Sequence, residues 1–426
     1  YMVNPRSTSS QLILREKAHK YVDEKAYTEL DFSKDKFVLL SERDGFQHLY
    51  LYTNTGTLVR QLTKGEFDVN DYYGTDETGK CFFFASNEGS PMEQYIYKVE
   101  TSGKRQRLTS KKGTHSAIFS SDCSFFMDKY SSLSTPNVYT LCNAAGRELT
   151  TLEDNKELRD NLSQLALGSQ ELFSFTTGDG VTLNGWMVKP ADFNPARKYP
   201  VVMYQYGGPG NQQVTDSWHI GMGGQGAILE HYLAQQGYIA VCVDNRGTGG
   251  RGAAFEKQTY LRLGEKEAAD QVEAALWLSQ QPYVDSNHIG IWGWSYGGWN
   301  TLMAMSEGRE VFCCGIAIAP PTSWRYYDTV YTERFMRTPK ENQSGYDEVN
   351  PIARAGKLHG ALLLCHGLAD DNVHFQNTAE LTEALVQADK DFSQLLYTNR
   401  NHGIYGGNTR NHLFRQCMNF FDKHLK

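Results

Sequence analysis

Hydrophobic and polar positions alternate in short bursts up to about residue 165 and then change texture for the rest of the chain. In the first part the apolar runs Phe37-Val38-Leu39-Leu40, Cys81-Phe82-Phe83-Phe84 and Phe125-Phe126-Met127 each lead, past a polar turn, to a second run at 49–52, 95–97 and 138–141. A third landmark follows a glycine turn each time, at Leu62-Thr63, Leu108-Thr109 and Thr151-Leu152, so the pattern recurs every 43 to 46 residues. Short runs rich in aromatic and β-branched residues predict strands, and this period matches a four-stranded β-propeller blade of about 40 to 50 residues. Any antiparallel β domain explains the alternation, but only repeated blades explain the constant period. About three blades fit before residue 165, whereas closed propellers have roughly four to eight. Further blades upstream, or a cover over the open edge, are therefore expected.

From about residue 170, strand-like runs at 173–177, 181–189, 201–206, 238–243, 289–293, 314–319, 361–366 and 394–397 are separated by helical stretches. The first two runs read as a hairpin joined by Gly178-Asp179-Gly180. Helices are predicted near 226–236, 265–281, directly after Ser295, and near 375–389 and 408–424; in the second, Ala268, Val272, Ala275 and Leu276 share a face. Strands alternating with helices predict a parallel or mixed sheet covered on both faces. The fold class is thus α/β: eight strands in an order resembling an α/β-hydrolase sheet over 166–426, preceded by a partial β-propeller of about three blades over 1–165.

Composition narrows the function classes. With 40% hydrophobic and 21% charged residues the chain is not a disordered one. No apolar run approaches the roughly 18 residues that a membrane-spanning helix needs. A net charge of -7 without a dense Lys/Arg stripe gives no reason to expect nucleic acid as a partner. The eight cysteines contain no C-x-x-C pair, which argues against a zinc ribbon or a redox dithiol, and Cys242 and Cys365 sit in apolar runs as packing residues; spacing leaves one or two disulfides open. No histidine or acidic cluster has metal-ligand spacing. The chain starts at Tyr1 without a basic and apolar leader, so a removed targeting segment or a longer protein is expected, and the blade count favours the longer protein.

The sharpest local feature is Gly293-Trp294-Ser295-Tyr296-Gly297-Gly298, directly after the apolar strand Ile289-Gly290-Ile291-Trp292 and before a predicted helix. A sharp strand-to-helix turn brings the chain back so closely that the residues two before and two after the serine must lack side chains. It also lifts the hydroxyl to a helix N-terminus, where the N–H of Tyr296 can stabilise a developing oxyanion. Serine is a weak nucleophile at neutral pH and needs a base oriented by a third group. In this fold the acid and the histidine lie, in that order, on loops after later strands. The run ending at His366 opens into Gly367-Leu368-Ala369-Asp370-Asp371-Asn372, and the last run opens into Asn401-His402-Gly403. His402 is the candidate base, and either Asp370 or Asp371 the orienting acid, the other bonding locally in the turn. Two glycine motifs, at 221–226 and 247–252, match the dinucleotide fingerprint G-x-G-x-x-G. The first does not directly follow a strand and the second opens no predicted helix, so both read as loops at a sheet rim and no cofactor is expected.

The elbow, together with Tyr204-Gln205-Tyr206-Gly207-Gly208-Pro209, Asp244-Asn245-Arg246-Gly247, the stretch from Trp324 to Arg334 and the run from His366 to Phe375, resembles the prolyl oligopeptidase family, most closely its dipeptidyl peptidase IV branch. The likeness covers nearly all of 170–426 and continues more faintly into the blades. It implies Ser295 as nucleophile, Asp370 as orienting acid and His402 as base, with the Tyr206 hydroxyl as second oxyanion donor beside the Tyr296 N–H. It implies that Tyr296, Trp324, Tyr327, Tyr331 and Val373 line a flat apolar pocket suited to a proline ring. Asn372 would bind the preceding carbonyl and Arg334 would stand at the rim. The implied activity is a serine exopeptidase releasing N-terminal dipeptides after proline or alanine. The alternatives are a prolyl endopeptidase or tripeptidyl peptidase of the same family, or a noncatalytic binding homologue. Relatives suggest an extracytoplasmic location and a homodimer. Two departures stand out: the adjacent glutamates that capture a free amino terminus would lie before Tyr1, and Pro321 replaces a valine common in relatives.

Overall fold

Residues 1–33, 35–218 and 229–426 are described by a computed structural model. The glycine motif 221–226 and the first residues of the helix expected at 226–236 lie outside the described residues. Close contacts divide the chain into two units, one formed by Tyr1–Asn161 with Thr215–Trp218 and Gly249–Phe255, the other by the remaining described residues.

In the first unit each repeat folds into a four-stranded antiparallel meander. The first sheet runs through Asp31–Ser33, Lys36–Ser41, His48–Thr53 and Leu58–Gln61. The second takes Val69–Thr75, Cys81–Ser86, Tyr95–Glu100 and Arg105–Arg107, and the third Thr114–Phe119, Phe125–Ser132, Thr135–Asn143 and Glu148–Glu153. Successive side chains on a strand point to opposite faces. Thus Phe82 and Phe84 join Val38, Leu40, Leu49 and Leu51 in one core, while Phe83 and Ala85 join Phe126 and Cys142 in another. Burial on both faces is why these runs are continuously apolar. The Leu-Thr landmark also has a cause: Leu62 N–H donates to Leu49 O and Thr63 Oγ1 accepts from Leu49 N–H, and Leu108 and Thr109 do the same to Ile96. Each pair closes the sheet by one rung beyond its last strand. The first strand of each sheet was not legible in the pattern. Val69–Thr75, for example, is mostly half-buried and polar, and its register shifts twice against the next strand.

The second motif, 247–252, turns with positive φ at Gly247, Gly250 and Gly252. It does lead into helix, contrary to expectation, but only the four residues Ala253–Glu256. Its distal part belongs to the first unit, where Asn87 Nδ2 donates to Gly250 O (2.7 Å) and Gly252 N–H to Asp68 Oδ2 (2.9 Å).

The second unit is built on one eight-stranded sheet: β1 Ser169–Thr176, β2 Thr182–Lys189, β3 Tyr199–Tyr204, β4 Ile239–Asp244, β5 Val284–Trp294, β6 Cys314–Ile318, β7 Ala361–Gly367 and β8 Ser393–Tyr397. Its order is β1-β2-β4-β3-β5-β6-β7-β8, antiparallel through β2 and β4 and parallel from β4 onward. This is the α/β-hydrolase arrangement. The order reverses around β3, and in open α/β sheets ligands bind beyond the carboxyl ends of strands at such a switch point. The longer helices of this unit among the described residues are α1 Leu229–Gln235, α2 Glu265–Ser279, α3 Tyr296–Met305, α4 Thr329–Met336, α5 Gln376–Gln387 and α6 Thr409–Leu425. β3 ends at Tyr204, two residues before the predicted end, which leaves Gln205 and Tyr206 outside the strand. α4 was not predicted; Asp328 caps it, accepting from Tyr331 N–H (2.8 Å). All eight cysteines are free thiols; Cys81 and Cys313 are half-buried and the other six buried.

Candidate active site

Ser295 occupies the turn between β5 and α3 at φ 58°, ψ -120°, a conformation that L-residues adopt only when the surroundings enforce it. The enforcement is a close approach of backbones. A side chain on Gly293 would lie 2.4 Å from Gly297 C and 2.7 Å from Gln205 O, and one on Gly297 would lie 2.4 Å from Gln205 O. Ser295 N–H donates to Ile318 O (2.8 Å) and its carbonyl accepts from Trp299 N–H (3.0 Å). The Tyr296 N–H, first in the helix, has no acceptor within it and points where the dipole favours negative charge.

β7 ends in the loop that carries Asp370, and the segment after β8 carries His402. His402 Nδ1 donates to Asp370 Oδ2 at 2.7 Å, while Asp370 Oδ1 accepts from Asn372 N–H (3.0 Å) and Val373 N–H (2.9 Å). The Asp370 side chain is fully buried and the His402 side chain is 21% exposed. Burial pushes the Asp370 carboxyl up, but the hydrogen bonds from His366 and His402 outweigh it and hold the group well below the usual carboxylate range. His366 is fully buried beneath this pair, with Nε2 2.8 Å from Val373 O and 3.3 Å from Asp370 Oδ2. Asp371 is exposed, and the local turn bonds expected of the second aspartate are made by Asp370 itself. Trp294 Nε1 donates to His402 O (3.0 Å), which seats the histidine segment against the residue that precedes Ser295. An imidazole fixed by a buried carboxylate keeps one tautomer and gains a partner for the charge of its protonated form.

Around the elbow the aromatic residues form one connected cluster. Trp324 is the hub, with ring centroids 5.5 Å from Tyr296, 5.9 Å from Tyr327 and 5.9 Å from Tyr331. Tyr206 lies 5.9 Å from Tyr296, and Tyr327 meets Tyr331 edge-on at 5.4 Å. Burial raises the hydroxyls of Tyr206 and Tyr331, so both stay neutral hydrogen-bond donors. Tyr327 Oη donates to Asn372 Oδ1 (3.0 Å), and Asn372 is exposed. Val373 is fully buried. Pro321 is buried just ahead of Trp324. Arg334 is half-buried, with its guanidinium 5.8 Å from the Phe335 ring, which itself meets Tyr331 edge-on at 4.9 Å.

Two participants escaped the sequence reading. Trp299 packs on Trp324 with centroids 4.8 Å apart; its place four residues after Ser295, on the same helix face, was the available signal. Glu267, on α2, accepts from Tyr296 Oη at 2.8 Å, and its Oε2 has no hydrogen-bond partner among the described residues. Nothing in sequence distinguishes it from the surface glutamates nearby. Burial pushes its carboxyl from 4.5 up to about 8. The unfolded chain therefore releases this proton at lower pH than the folded one, and stability falls as pH rises from about 4.5 to about 8, then levels off. Glu267→Gln keeps an acceptor for Tyr296 and has no proton to lose. Its melting temperature is expected to rise above that of the parent across this window, by the equivalent of a few kcal/mol at pH 8. A difference that does not change with pH contradicts the buried acid.

Comparison with known proteins matches residues 229–426 to the Prolyl oligopeptidase family and residues 1–137 to the Dipeptidyl peptidase IV (DPP IV) N-terminal region. The chain is 45% identical to the crystal structure of Porphyromonas gingivalis dipeptidyl peptidase 4, with a TM-score of 0.95 over 99% of this chain and 59% of that one. It is 36% identical over 402 residues to an Aspergillus fumigatus protein named "Probable dipeptidyl peptidase 4", covering 90% of this chain and 51% of that protein. It is 33% identical to mouse prolyl endopeptidase FAP, covering 91% of this chain and 52% of that protein. The chain spans about half the length of the curated relatives it matches.

Proposed function

The chain belongs to the prolyl oligopeptidase family of serine peptidases, and from that premise we propose that it releases N-terminal dipeptides from peptides whose second residue is proline or alanine. The observation that carries this reading is the hydrogen bond from His402 to the fully buried Asp370, in the loops that follow a serine elbow. Ser295 Oγ attacks the carbonyl carbon of the second residue while His402 Nε2 takes its proton, and Asp370 holds Nδ1–H and balances the imidazolium charge. The tetrahedral oxygen accepts from Tyr296 N–H and Tyr206 Oη. His402 then protonates the leaving amine, the acyl-serine ester remains, and water activated by the same imidazole hydrolyses it.

The aromatic cluster supports the choice of proline. Its ring is rigid and apolar, and its nitrogen, once in a peptide bond, has no N–H to leave unsatisfied against Trp324, Tyr327 and Tyr331. Val373 closes the floor, the Asn372 amide binds the preceding carbonyl and Arg334 stands at the rim. Peptides are the partners of this site, and pairing as a homodimer belongs to the same proposal.

The likeness to a prolyl endopeptidase supports a second reading, cleavage within chains, with the same pocket. Hydrolysis of Gly-Pro-p-nitroanilide and of its amino-blocked form by the intact protein separates the two. Dipeptide release predicts that the free amine is preferred by roughly ten- to a hundredfold in kcat/KM, the scale of a hydrogen bond to a charged group. Equal or better hydrolysis of the blocked compound favours the endopeptidase.

A further inference from the structure

The backbone on either side of Tyr206 is gripped by side-chain amides that solvent does not reach. Gln205 is 0% exposed; its Nε2 donates to Gly297 O (2.5 Å) and lies 3.1 Å from Thr301 Oγ1, and its Oε1 accepts from Asn300 Nδ2 (2.8 Å). Its main-chain N–H donates to Trp292 O (3.2 Å), which carries the β3–β5 pairing one step past the strand. On the other side Asn245, also 0% exposed, donates from Nδ2 to Gly207 O (3.1 Å), and its Oδ1 accepts from Gln271 Nε2 (3.2 Å). Asn300 Nδ2 lies 3.5 Å from that same Oδ1, so Asn300 stands between the two grips.

Gly207 makes this closure possible. It takes φ +77°, and a side chain there would lie 2.3 Å from Asn245 Oδ1 and 2.5 Å from Asn300 Nδ2. Gly297, which receives the Gln205 amide, belongs to the first turn of α3, immediately after Tyr296. The loop that carries one phenol is thus tied to the helix start that carries the other candidate oxyanion donor. Asn300 Oδ1 and Gln271 Oε1 have no hydrogen-bond partner among the described residues, but each amide N–H bond of this network ends on an acceptor that solvent does not reach, and breaking one would leave a further polar group unpaired in a dry interior.

We infer that Gln205 and Asn245 are positioning residues that clamp the backbone on both sides of Tyr206 and fix where its hydroxyl stands relative to the Tyr296 N–H. This rests on Tyr206 serving as an oxyanion donor. Neither amide touches substrate, because both are enclosed, and their effect passes through the tyrosine.

The test is a double-substitution cycle in the intact protein on Gly-Pro-p-nitroanilide, with Gln205→Met, which keeps volume and removes the amide, alone and combined with Tyr206→Phe. Tyr206→Phe alone should lower kcat by about 10² to 10³-fold. Gln205→Met alone should lower kcat by roughly 10 to 10²-fold, the scale of a donor displaced by about an ångström, with KM within about twofold. In the Tyr206→Phe background it should lower kcat by less than about twofold, since no hydroxyl remains to misplace. A merely structural role for Gln205 predicts the same loss in both backgrounds, and that result overturns the clamp, as does an unchanged kcat in Gln205→Met. An unchanged kcat in Tyr206→Phe alone instead removes the donor assignment on which the clamp rests. Asn245→Ser, which withdraws the amide from Gly207, carries the same cycle from the other side and decides the matter if Gln205→Met does not fold.

Discussion

Ser295→Ala is expected to lower kcat by about 10⁶-fold and to abolish covalent labelling by a fluorophosphonate, while the melting temperature stays close to that of the parent. The size follows from chemistry: without Oγ no acyl intermediate can form, and what remains is binding and oxyanion stabilisation of attack by water. The unchanged stability follows from the backbone. The turn is held by Ser295 N–H to Ile318 O, by Trp299 N–H to Ser295 O and by the glycine contacts, none of which involves the hydroxyl. Labelling that survives the substitution would place the nucleophile elsewhere.

Asp370→Asn is expected to cost about 10⁴-fold in kcat with little change in KM, whereas Asp371→Asn stays within about twofold of the parent. The asparagine can keep its carbonyl oxygen on the Asn372 and Val373 N–H groups, where Asp370 Oδ1 now sits. Its NH₂ then faces His402 Nδ1 and turns that nitrogen from donor to acceptor, so Nε2 carries the proton and cannot take one from serine. Asp371 is exposed beside this arrangement. A larger loss for Asp371→Asn than for Asp370→Asn would reverse the assignment. The depressed pKa of Asp370 also carries a stability consequence: its contribution is present above the ordinary carboxylate range and is lost as pH falls toward the folded value. The Asn variant should therefore lose stability relative to the parent at neutral pH and converge with it in strong acid.

The elbow, the eight strands and the order of the three triad candidates were readable because each rests on a local requirement. Gly293 and Gly297 must be glycine for the backbone to pass, and strands buried on both faces must be apolar throughout. The choice between Asp370 and Asp371 was not readable from the residues themselves, since adjacent aspartates in a loop are equivalent until one of them meets a histidine 32 residues away. The roles of Glu267, Gln205 and Asn245 were not legible for the complementary reason, although the last two stand in the motifs that carry the resemblance. Their types are common on surfaces, and only the packing around them turns a carboxyl into a buried acid or an amide into a clamp.

By itself the amino-acid order determined the repeat of blade-like sheets, the α/β succession, the strained serine turn and the loops that carry the candidate acid and base, all consequences of periodicity and steric exclusion along neighbouring residues. The family resemblance pointed to Asp370 and to the rings around Trp324, but only tertiary structure showed the carboxylate meeting the imidazole, those rings in contact and the buried amides bonded on both sides of Tyr206. These depend on desolvation and on contacts between segments distant in the chain, and a group's charge, donor role or orientation is set by whatever neighbours replace its water.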